Sequence, residues 1–380
     1  MMRVSLFPDL TIENWKSMDR YADRLRAWLP VVADQCEIRW AQVEPSRWLD
    51  RYLGVPYIRR VLNDRFYSRY IVYARAARAF QGDVNHVLDH SYGHLLRVLD
   101  PERTVVTVHD LYPFHLMDER ARTPRQLGRA RLLRWVMKHA LRARWLIANS
   151  AWTRWELMHR TGYPASRISV IHMGVDDAFF RPIDEATVRQ YRRSLAVPSS
   201  ATLILHVGTC DRRKNIPSLL KTIERLIKRM NVDAYLLQIG GRFAPDQERF
   251  IDRLGLNARI RQRSRVSMRE LICAYQAADV LLLPSTYEGF GMPALEAMAA
   301  GTPVVVANIG AFREIVGDAG LLVPPTDPVH QVEVVASLLE DAHLKARLIE
   351  RGRARAARFS WMETARKTLA VYRRLYSGGV

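Results

Sequence analysis

Short apolar runs alternate along this chain with longer stretches in which apolar residues recur at helical spacing. In the first half the strand-like runs fall at 3–7, 87–89, 104–109, 145–148 and 168–172. In the second half they fall at 203–207, 235–240, 280–283, 304–307 and 321–323. Strands that alternate with helices predict parallel sheets covered by helices on both faces. The pattern therefore predicts an α/β protein with two doubly wound halves.

The length of the chain supports a division into two domains. Its 380 residues are more than one hydrophobic core usually holds, and two domains of about 150–200 residues are expected. The strand-and-turn pattern of the first half ends at 179–182, and a last helical stretch follows a break near Ser360. We predict a first domain over 1–182, a second over 183–359 and a terminal helix over 360–380.

Composition indicates a globular protein of a reducing compartment. Apolar residues make up 48% of the chain and charged residues 26%, which is ordinary for a globular domain. Three cysteines lie far apart with no Cys-x-x-Cys spacing, which indicates neither a disulfide framework nor a zinc site. No apolar run approaches the roughly 18–20 residues of a spanning helix, and the first eight residues are too soon broken for a signal peptide. We expect a cytoplasmic protein.

The formal net charge of +19 is unusual and comes largely from two segments with helical periodicity, 57–80 and 122–146. Eight basic residues and no acidic one occupy the second segment: Arg122, Arg125, Arg129, Arg131, Arg134, Lys138, Arg142 and Arg144. Three interpretations compete: solvated helix faces, a nucleic-acid surface, or an anionic membrane surface on which each Lys or Arg adds about 1 kcal/mol. No nucleic-acid-binding motif accompanies the charge, so we expect no nucleic acid as a partner.

The segment 284–303 carries the strongest chemical signal. It lies between two apolar runs, and Gly289 and Gly291 flank Phe290 at the start of a short apolar helix. Such a turn lets the backbone approach a ligand, and the free N–H groups of the helix start favour an anion. Glu288 stands before that helix and Glu296 within it. Glu288 could simply interact with the helix dipole, and Glu296 could lie on a solvated helix face. A glycine turn flanked by two acids, however, suits a nucleotide-sugar.

A second motif, 207–215, also follows a strand and precedes a helix. Its Arg213 and Lys214 are placed to converge on phosphates that leave the turn at 289–291. Charge-assisted contacts of this kind contribute roughly 1.5–3 kcal/mol each. They would also neutralise the negative charge of a phosphate group that departs during a reaction. The plain alternative is a solvated helix start.

Two strand ends in the first half add candidate residues. His109 ends the apolar run 105–108 and is followed by Asp110. A second group follows the run at 87–89 and comprises Asp89, His90, Tyr92 and His94. Ligands of open parallel sheets bind beyond the carboxyl ends of the strands, so both groups are candidates for a binding site. A capped structural histidine and an ordinary strand-end turn are the alternatives.

The segment from Pro284 to Pro324 resembles the Glu-x7-Glu signature of the retaining glycosyltransferases of family 4, which have the GT-B fold. The match includes Pro284-Ser285, Glu288-Gly289-Phe290-Gly291, Glu296-Ala297 and Gly301-Thr302-Pro303. The resemblance implies two Rossmann-like domains facing a central cleft, with the last helix crossing back to the first domain. It implies an enzyme of polysaccharide biosynthesis that moves a hexosyl group from a nucleotide diphosphate sugar to a hydroxyl of a glycan or lipid-linked acceptor. It further implies a peripheral place on the inner face of the cytoplasmic membrane, held by the basic segments.

The resemblance also implies roles for single residues. Catalysis falls to His109, Glu288, Arg213 and Lys214. Donor binding is implied for Gly208, Thr209, Arg213, Lys214, Arg265, Val266, Glu288, Gly289, Phe290, Gly291 and Glu296. Acceptor binding is implied for Asp89, His90, Tyr92, His94 and Asp110. No Asp-x-Asp motif is present, and basic side chains can replace a metal ion, so we expect neither a metal nor a cofactor.

The sequence departs from the family pattern at three places. Thr209 stands where many members carry Arg, Ser264 where they usually carry Gly, and 11–18 lacks the paired glycines found near the acceptor. Two other functions stay open: a nucleotide-sugar epimerase of the same fold, and a non-catalytic nucleotide-sugar-binding protein.

Overall fold

A computed structural model of the chain describes residues 1–44, 64–112, 114–115 and 124–378. The chain divides into two compact units, one formed by Met1–Gly174 with Trp361–Val380 and the other by Val175–Ser360. The segment 175–182, which the sequence analysis assigned to the first domain, is part of the second unit in this division. The domain boundary at 182 stays a prediction.

The first unit is built on a six-stranded parallel sheet with the strand order β2-β1-β3-β4-β5-β6. Its strands are β1 Met2–Phe7, β2 Cys36–Trp40, β3 Val84–Val87, β4 Thr104–Val108, β5 Trp145–Ala148 and β6 Ile168–Val170. Its helices are α1 Lys16–Val32, α2 (Asp64–Tyr67, a π-helical Ser68–Val72 and Tyr73–Ala79), α3 Pro124–Ala140, α4 Ala151–Thr161 and, from the end of the chain, α13 Trp361–Tyr376. A 3-10 helix over His90–Arg97 follows β3.

Helices cover both faces of this sheet. On one face α1 packs against α13, and a buried chain of hydrogen bonds ties them to the strands. His86 in β3 bonds the Tyr372 hydroxyl at 2.6 Å and Thr107 Oγ1 at 2.7 Å, and Tyr21 of α1 bonds the same Thr107 oxygen at 3.1 Å. On the other face the 3-10 helix packs against α3. The terminal helix is therefore part of the core of the first unit.

The second unit repeats the architecture with the strand order β12-β11-β10-β7-β8-β9, again all parallel. Its strands are β7 Thr202–Gly208, β8 Ala234–Gly240, β9 Ile260–Arg263, β10 Val280–Leu283, β11 Val304–Ala307 and β12 Leu321–Val323. Its helices are α5 Glu185–Ser194, α6 Ile216–Arg229, α7 Pro245–Leu254, α8 Met268–Ala277, α9 Met292–Ala300, α10 Gly310–Val316, α11 Pro328–Glu340 and α12 Ala342–Ala356. Both sheets are doubly wound, as the alternation of strands and helices predicts.

Two strands, β2 and β9, were not predicted from the hydrophobic pattern, and the physical reason is the same for both. β2 and β9 lie at the edges of their sheets, are only partly buried, and interleave charged or amide side chains with apolar ones. An edge strand lacks the continuous apolar run of a strand buried on both faces. The prediction of a helix over 122–146 for the second basic segment is wrong at its end. The helix α3 ends at Ala140, and β5 begins at Trp145. Positions 57–63 and 122–123 of the basic segments lie outside the described residues.

Candidate functional site

Two loops of the second unit meet at the carboxyl edge of its sheet. One follows β7 and the other follows β10, and these strands are neighbours in the sheet. The backbone N–H of Thr286 donates to the Arg213 carbonyl at 2.8 Å, and the side-chain amide of Asn215 donates to the Pro284 carbonyl at 3.1 Å. The topology thus brings together the two motifs that the sequence analysis singled out independently.

Glu288 and Lys214 form a buried ion pair where the loops meet. Lys214 Nζ lies 2.6 Å from Glu288 Oε1, and the two residues are only 5% and 6% exposed. Ser285 Oγ donates to the same carboxylate at 2.9 Å, and an Arg213 nitrogen lies 3.4 Å from its other oxygen. Burial raises the pKa of Glu288, but Lys214 and Arg213 outweigh burial, and the net pKa lies below the ordinary 4.5. Glu288 is therefore ionised at neutral pH.

Glycines make this arrangement possible at two points. A Cβ on Gly208 would lie 2.9 Å from Lys214 Cε, and the backbone there has φ +154°. A Cβ on Gly291 would lie 2.7 Å from the Phe312 ring, at φ +105°. Gly291 also precedes the first residue of α9, so the turn Gly289-Phe290-Gly291 leads directly into a helix N-terminus. A helix N-terminus suits a phosphate. In α9, however, Pro293 has no N–H and the Ala294 N–H donates to the Gly291 carbonyl at 3.0 Å.

Glu296 lies inside α9 and is only 2% exposed. The buried hydroxyl of Tyr275 donates to Glu296 Oε2 at 2.7 Å, and Thr302 Oγ1 donates to the Tyr275 carbonyl at 2.6 Å. This burial excludes the alternative of a solvated helix face. Sequence reasoning missed Tyr275, because a tyrosine in an apolar helix gives no signal beyond packing.

The other predicted donor residues lie around this centre. Thr209 is exposed and donates to Asp211 Oδ2 at 2.7 Å. Exposed Arg265 and half-buried Val266 follow β9 at the sheet edge, and β8 separates β9 from β7. All of these residues share the carboxyl edge, but a role in base recognition stays a prediction for Arg265 and Val266.

In the first unit, His109 lies at the carboxyl end of β4 and is 5% exposed. Its Nε2 lies 2.8 Å from the Leu88 carbonyl, so that nitrogen carries the proton, since a carbonyl only accepts. Nδ1 has no hydrogen-bond partner among the described residues. Burial lowers the pKa of His109. The ring is a neutral imidazole whose Nδ1 can accept a proton or a hydroxyl hydrogen bond.

Asp89 and His90 form a second buried ion pair, at the carboxyl end of β3. His90 Nδ1 lies 3.0 Å from Asp89 Oδ1, and Ser91 donates to Asp89 through its N–H and its hydroxyl, each at 2.8 Å. Burial opposes both charges, but each partner outweighs burial, so the pKa of Asp89 is lowered and that of His90 raised. Asp110, at the end of the adjacent strand, is half-buried and accepts from the Tyr112 N–H at 3.0 Å.

Tyr92 and His94 pack inside the first unit. The Tyr92 hydroxyl accepts from the Leu10 N–H at 3.1 Å, and His94 Nε2 bonds the Arg69 carbonyl at 2.8 Å. His94 also stacks on Trp135, with ring centroids 6.4 Å apart. These contacts tie the loop after β1 to α2 and α3, and acceptor binding by the two residues stays a prediction.

Two acids that the sequence did not predict as site residues, Asp9 and Glu13, lie in the loop after β1. Asp9 follows β1, and burial together with the charge of Asp89 raises its pKa well above the ordinary value. Glu13 is 6% exposed and pairs with Arg69 at 3.0 Å and with Arg65. The only sign of these two acids in the sequence is that acidic residues stand in the loop after the first strand, where family 4 usually has glycines.

Two family models match the chain. A model described as "Glycosyl transferases group 1" matches residues 187–355, and one described as "Glycosyltransferase Family 4" matches residues 30–179. The chain belongs to the group 1/family 4 glycosyltransferases. The family resemblance drawn from the Glu288–Glu296 segment is thereby confirmed.

Curated relatives match this chain over part of their own length. A D-inositol 3-phosphate glycosyltransferase of Corynebacterium urealyticum is 36% identical over 219 residues, which are 55% of this chain and 52% of the relative. An MMP alpha-(1->4)-mannosyltransferase of Mycolicibacterium hassiacum is 35% identical over 212 residues, 54% of this chain and 48% of the relative. The chain thus spans about half the length of the curated relatives that it matches.

Solved structures share the fold of this chain. Sucrose-phosphate synthase from Thermosynechococcus elongatus matches with a TM-score of 0.77 and 21% identity, over 100% of both chains. Anabaena HepE in complex with UDP and glucose matches with a TM-score of 0.74 and 18% identity, over 98% of this chain and 99% of that one. At these identities the likeness establishes the fold, which is of the GT-B class, as the sequence predicts.

The described residues bear on two kinds of partner, membranes and metal ions. In that part of the chain, no helix is long and apolar enough to cross a membrane. No group of three or more His, Cys, Asp or Glu side chains that could hold a metal ion is found there either. Independence from a metal or a cofactor stays a prediction.

Proposed function

We propose that this glycosyltransferase transfers a hexosyl group from a nucleotide diphosphate sugar to a hydroxyl of a glycan or lipid-linked acceptor, with the anomeric configuration retained. The observation that carries the proposal is the buried Lys214–Glu288 pair beside a glycine turn at the start of α9. A buried pair is costly to desolvate, so its presence at a strand end favours a functional role over a purely stabilising one.

The donor's diphosphate would bind to Arg213, Lys214 and the backbone N–H groups of Gly291 and Met292, where the glycine turn enters α9. These donors carry fixed positive charge toward the oxygen on which negative charge develops as the glycosidic bond breaks. Two basic side chains can supply the charge that a divalent cation supplies in other transferases, so we propose a metal-independent reaction. The UDP bound to HepE, a structure of the same fold, supports a nucleoside diphosphate as the ligand class.

The two acids would bind different parts of the donor. Glu288 lies next to the cations and would accept a hydroxyl hydrogen bond from the hexose. Glu296 is held at one oxygen by Tyr275, which fixes the carboxylate in a buried position suited to ribose hydroxyls. A carboxylate fixed in this way binds a diol at low entropic cost, since it has no rotamer freedom left to lose.

In the first unit, His109 would accept a hydroxyl hydrogen bond from the sugar through Nδ1. Its neutral state at pH 7 suits this task, because an imidazolium could only donate. Asp89, His90 and Asp110 would then contact the acceptor. With no carboxylate assigned as a nucleophile, we propose that the departing phosphate takes the proton of the acceptor hydroxyl. The proton would move as the acceptor oxygen bonds the anomeric carbon and the bond from that carbon to the diphosphate oxygen breaks. The acceptor would thus become a neutral glycoside, and the proton would leave with the nucleoside diphosphate.

A basic, partly apolar surface of the first unit would dock on an anionic membrane. Exposed basic residues of α3 are Arg129, Arg131, Arg134 and Lys138. Leu127 of the same helix is 46% exposed. Exposed cations and an exposed apolar side chain on one helix are typical of a protein surface that meets lipid headgroups. Such docking would bring a lipid-linked acceptor to the enzyme.

The transfer itself is tested by incubating the protein with UDP-, GDP- and ADP-hexoses, with and without acceptors. Suitable acceptors are inositol phosphate, short glucans and polyprenyl-diphosphate hexose. We expect acceptor-dependent release of one nucleoside diphosphate and a product whose anomeric proton couplings match those of the donor. Glu288→Gln and His109→Ala should abolish release while the protein stays folded. Epimerised donor without acceptor would favour the epimerase, and full activity in both variants would refute the site.

A further inference from the structure

Two polar residues face each other inside the apolar sheet of the second unit. His206 of β7 and Gln238 of β8 are register partners, and both are fully buried. Their strands are otherwise apolar near this point, with Leu205 before the histidine and Leu237 before the glutamine. Burying a polar group without a hydrogen bond costs roughly 2–7 kcal/mol. Two polar residues in the interior of the sheet therefore require either hydrogen-bond partners or a functional role that offsets this cost.

The hydrogen bonds of Gln238 fix the protonation of His206. The amide nitrogen of Gln238 lies 2.9 Å from the Gly208 carbonyl and 3.3 Å from the Ile239 carbonyl, and both carbonyls can only accept. The amide oxygen therefore faces His206 and accepts from Nδ1–H at 2.6 Å. Burial, with a further contribution from Lys214, lowers the pKa of His206 to about 4, so the ring stays neutral at pH 7.

This pair continues into the loop that carries Lys214. The Gly208 carbonyl accepts from Gln238 and also from the Gly241 N–H, each at 2.9 Å. Two donors on one carbonyl fix the orientation of the peptide at Gly208. That residue lies directly under the Lys214 side chain, which in turn reaches Glu288.

We propose that His206 and Gln238 are positioning residues for the donor's diphosphate. The contacts are consecutive: His206 orients the Gln238 amide, and that amide fixes the Gly208 peptide. Gly208, which has no side chain, leaves room for Lys214 to pack on it and reach Glu288. The two residues contact no ligand themselves. The inference rests on the proposed function for its ligand, but the effect on the loop over 208–215 belongs to the protein alone.

Two substitutions of His206 separate hydrogen bonding from packing. His206→Phe keeps a ring of similar shape but removes the Nδ1–H donor, which leaves the Gln238 oxygen unsatisfied and the amide free to turn. His206→Asn shortens the side chain but keeps an N–H near the position of Nδ1. Gln238→Met removes the donor to Gly208 at nearly constant length, and it replaces His206→Phe if that variant does not fold.

Two measurements on the full chain test the proposal. The first is the affinity for UDP, GDP and ADP by calorimetry, and the second is hydrogen–deuterium exchange of the peptide over 204–216 without ligand. For the nucleotide that binds the wild type most tightly, we expect His206→Phe and Gln238→Met to weaken binding about tenfold, the loss matching one unsatisfied buried group. Both should also exchange faster over 208–215, and His206→Asn should restore most of both properties.

The outcomes decide the two proposals separately. Wild-type affinity and wild-type exchange in His206→Phe and Gln238→Met would overturn the positioning role, and so would an equal loss in His206→Asn. If the wild type binds no nucleoside diphosphate, the proposed function fails. The exchange measurement then still decides whether His206 and Gln238 hold the loop.

Discussion

At the scale of single residues, Glu288 is held by donors from two loops. Lys214 and Arg213 approach it from the loop after β7, and Ser285 from its own loop. In a buried pair of this kind, removing one partner costs more than the pair itself contributes, because the other charge is left without compensation. This asymmetry gives the pair a clear mutational signature.

Lys214→Met should destabilise the protein by about 3 kcal/mol, at the lower end of the range for breaking a buried ion pair, because Arg213 and Ser285 still reach the carboxylate. Urea unfolding at pH 7 measures this loss. Lys221→Met, at an exposed lysine of α6, is the matched control and should stay within about 0.5 kcal/mol of the wild type. Equal effects of the two substitutions would contradict a buried pair.

Acidification gives Glu288 a second signature. Its pKa is lowered on folding, so the unfolded chain binds the proton more readily and the carboxylate contributes stability above pH 4.5 that is lost below it. Glu288→Gln should therefore have a flatter dependence of the free energy of unfolding on pH below about 4.5. Denaturation curves from pH 6 to pH 3 measure it. Protonation of buried histidines such as His206 also destabilises the folded state on acidification. This effect is common to the wild type and Glu288→Gln, so the difference between their curves isolates Glu288.

The sequence predicted the members of this centre but not their geometry. Glycine, acid and base at fixed spacing located Glu288, Glu296, Arg213 and Lys214, because those residues belong to local motifs. Tyr275, His206 and Gln238 were not predicted, since each acts through a contact with a residue distant in sequence. A single polar residue in an apolar strand is the one signal that could have found His206 and Gln238.

At the scale of elements, the 3-10 helix His90–Arg97 depends on close packing against α3. A Cβ on Gly93 would lie 2.5 Å from the Ala140 Cβ and 2.6 Å from the Val136 carbonyl. This contact places the 3-10 helix, and with it Asp89 and His90, at the end of β3. Any side chain at position 93 has to separate the two elements.

Gly93→Ala should destabilise the protein by about 1–3 kcal/mol, as overpacking does in a filled core. Gly128→Ala is the matched control, because Gly128 lies within α3 with no neighbour within 4 Å of the added Cβ. It should instead stabilise the helix by about 0.5–1 kcal/mol. Thermal and urea unfolding of both variants measure the two signs. A neutral Gly93→Ala would show that the elements are not in contact.

The hydrophobic pattern predicted strands where it forms a continuous apolar run. β5, β10 and β11 have the bounds that their runs predicted, and so does the short edge strand β12. Buried β3 runs from Val84 to Val87 and not over 87–89, because Asn85 and His86 interrupt its apolar pattern. The pattern failed at the edge strands β2 and β9, where partial exposure admits Glu37, Arg39 and Arg261.

At the scale of the whole molecule, one helix of the first unit differs in charge from the helices of the second. In α3 the described side chains from 127 to 140 include basic residues and no acid, whereas each helix of the second unit, including the basic helices α6 and α12, carries at least one acid. Membrane docking by the first unit therefore makes a prediction that depends on which unit is altered.

Binding to vesicles containing phosphatidylglycerol should weaken steeply as salt rises, and vesicles of phosphatidylcholine alone should not bind. Arg131→Glu combined with Arg134→Glu should reduce binding strongly. Lys221→Glu combined with Arg229→Glu makes the same change of charge on exposed residues of the second unit and should reduce it little. Co-sedimentation measures both, and equal losses in the two variants would indicate a general charge effect.

The order of strands in each sheet was beyond the sequence. Alternating strands and helices predicted parallel sheets, but the placement of β1 between β2 and β3, or of β7 between β10 and β8, depends on contacts across long stretches of chain. The site depends on that order, because the adjacency of β7 and β10 is what joins Lys214 to Glu288.

The central claim is that the Lys214–Glu288 centre binds a nucleotide diphosphate sugar. Calorimetric titration of the wild type, Lys214→Met and Lys221→Met with UDP-, GDP- and ADP-hexoses tests it most directly. We predict saturable binding of one donor by the wild type and by Lys221→Met, and loss of that binding in folded Lys214→Met. Binding of no donor by the wild type, or equal binding by all three proteins, would contradict the claim.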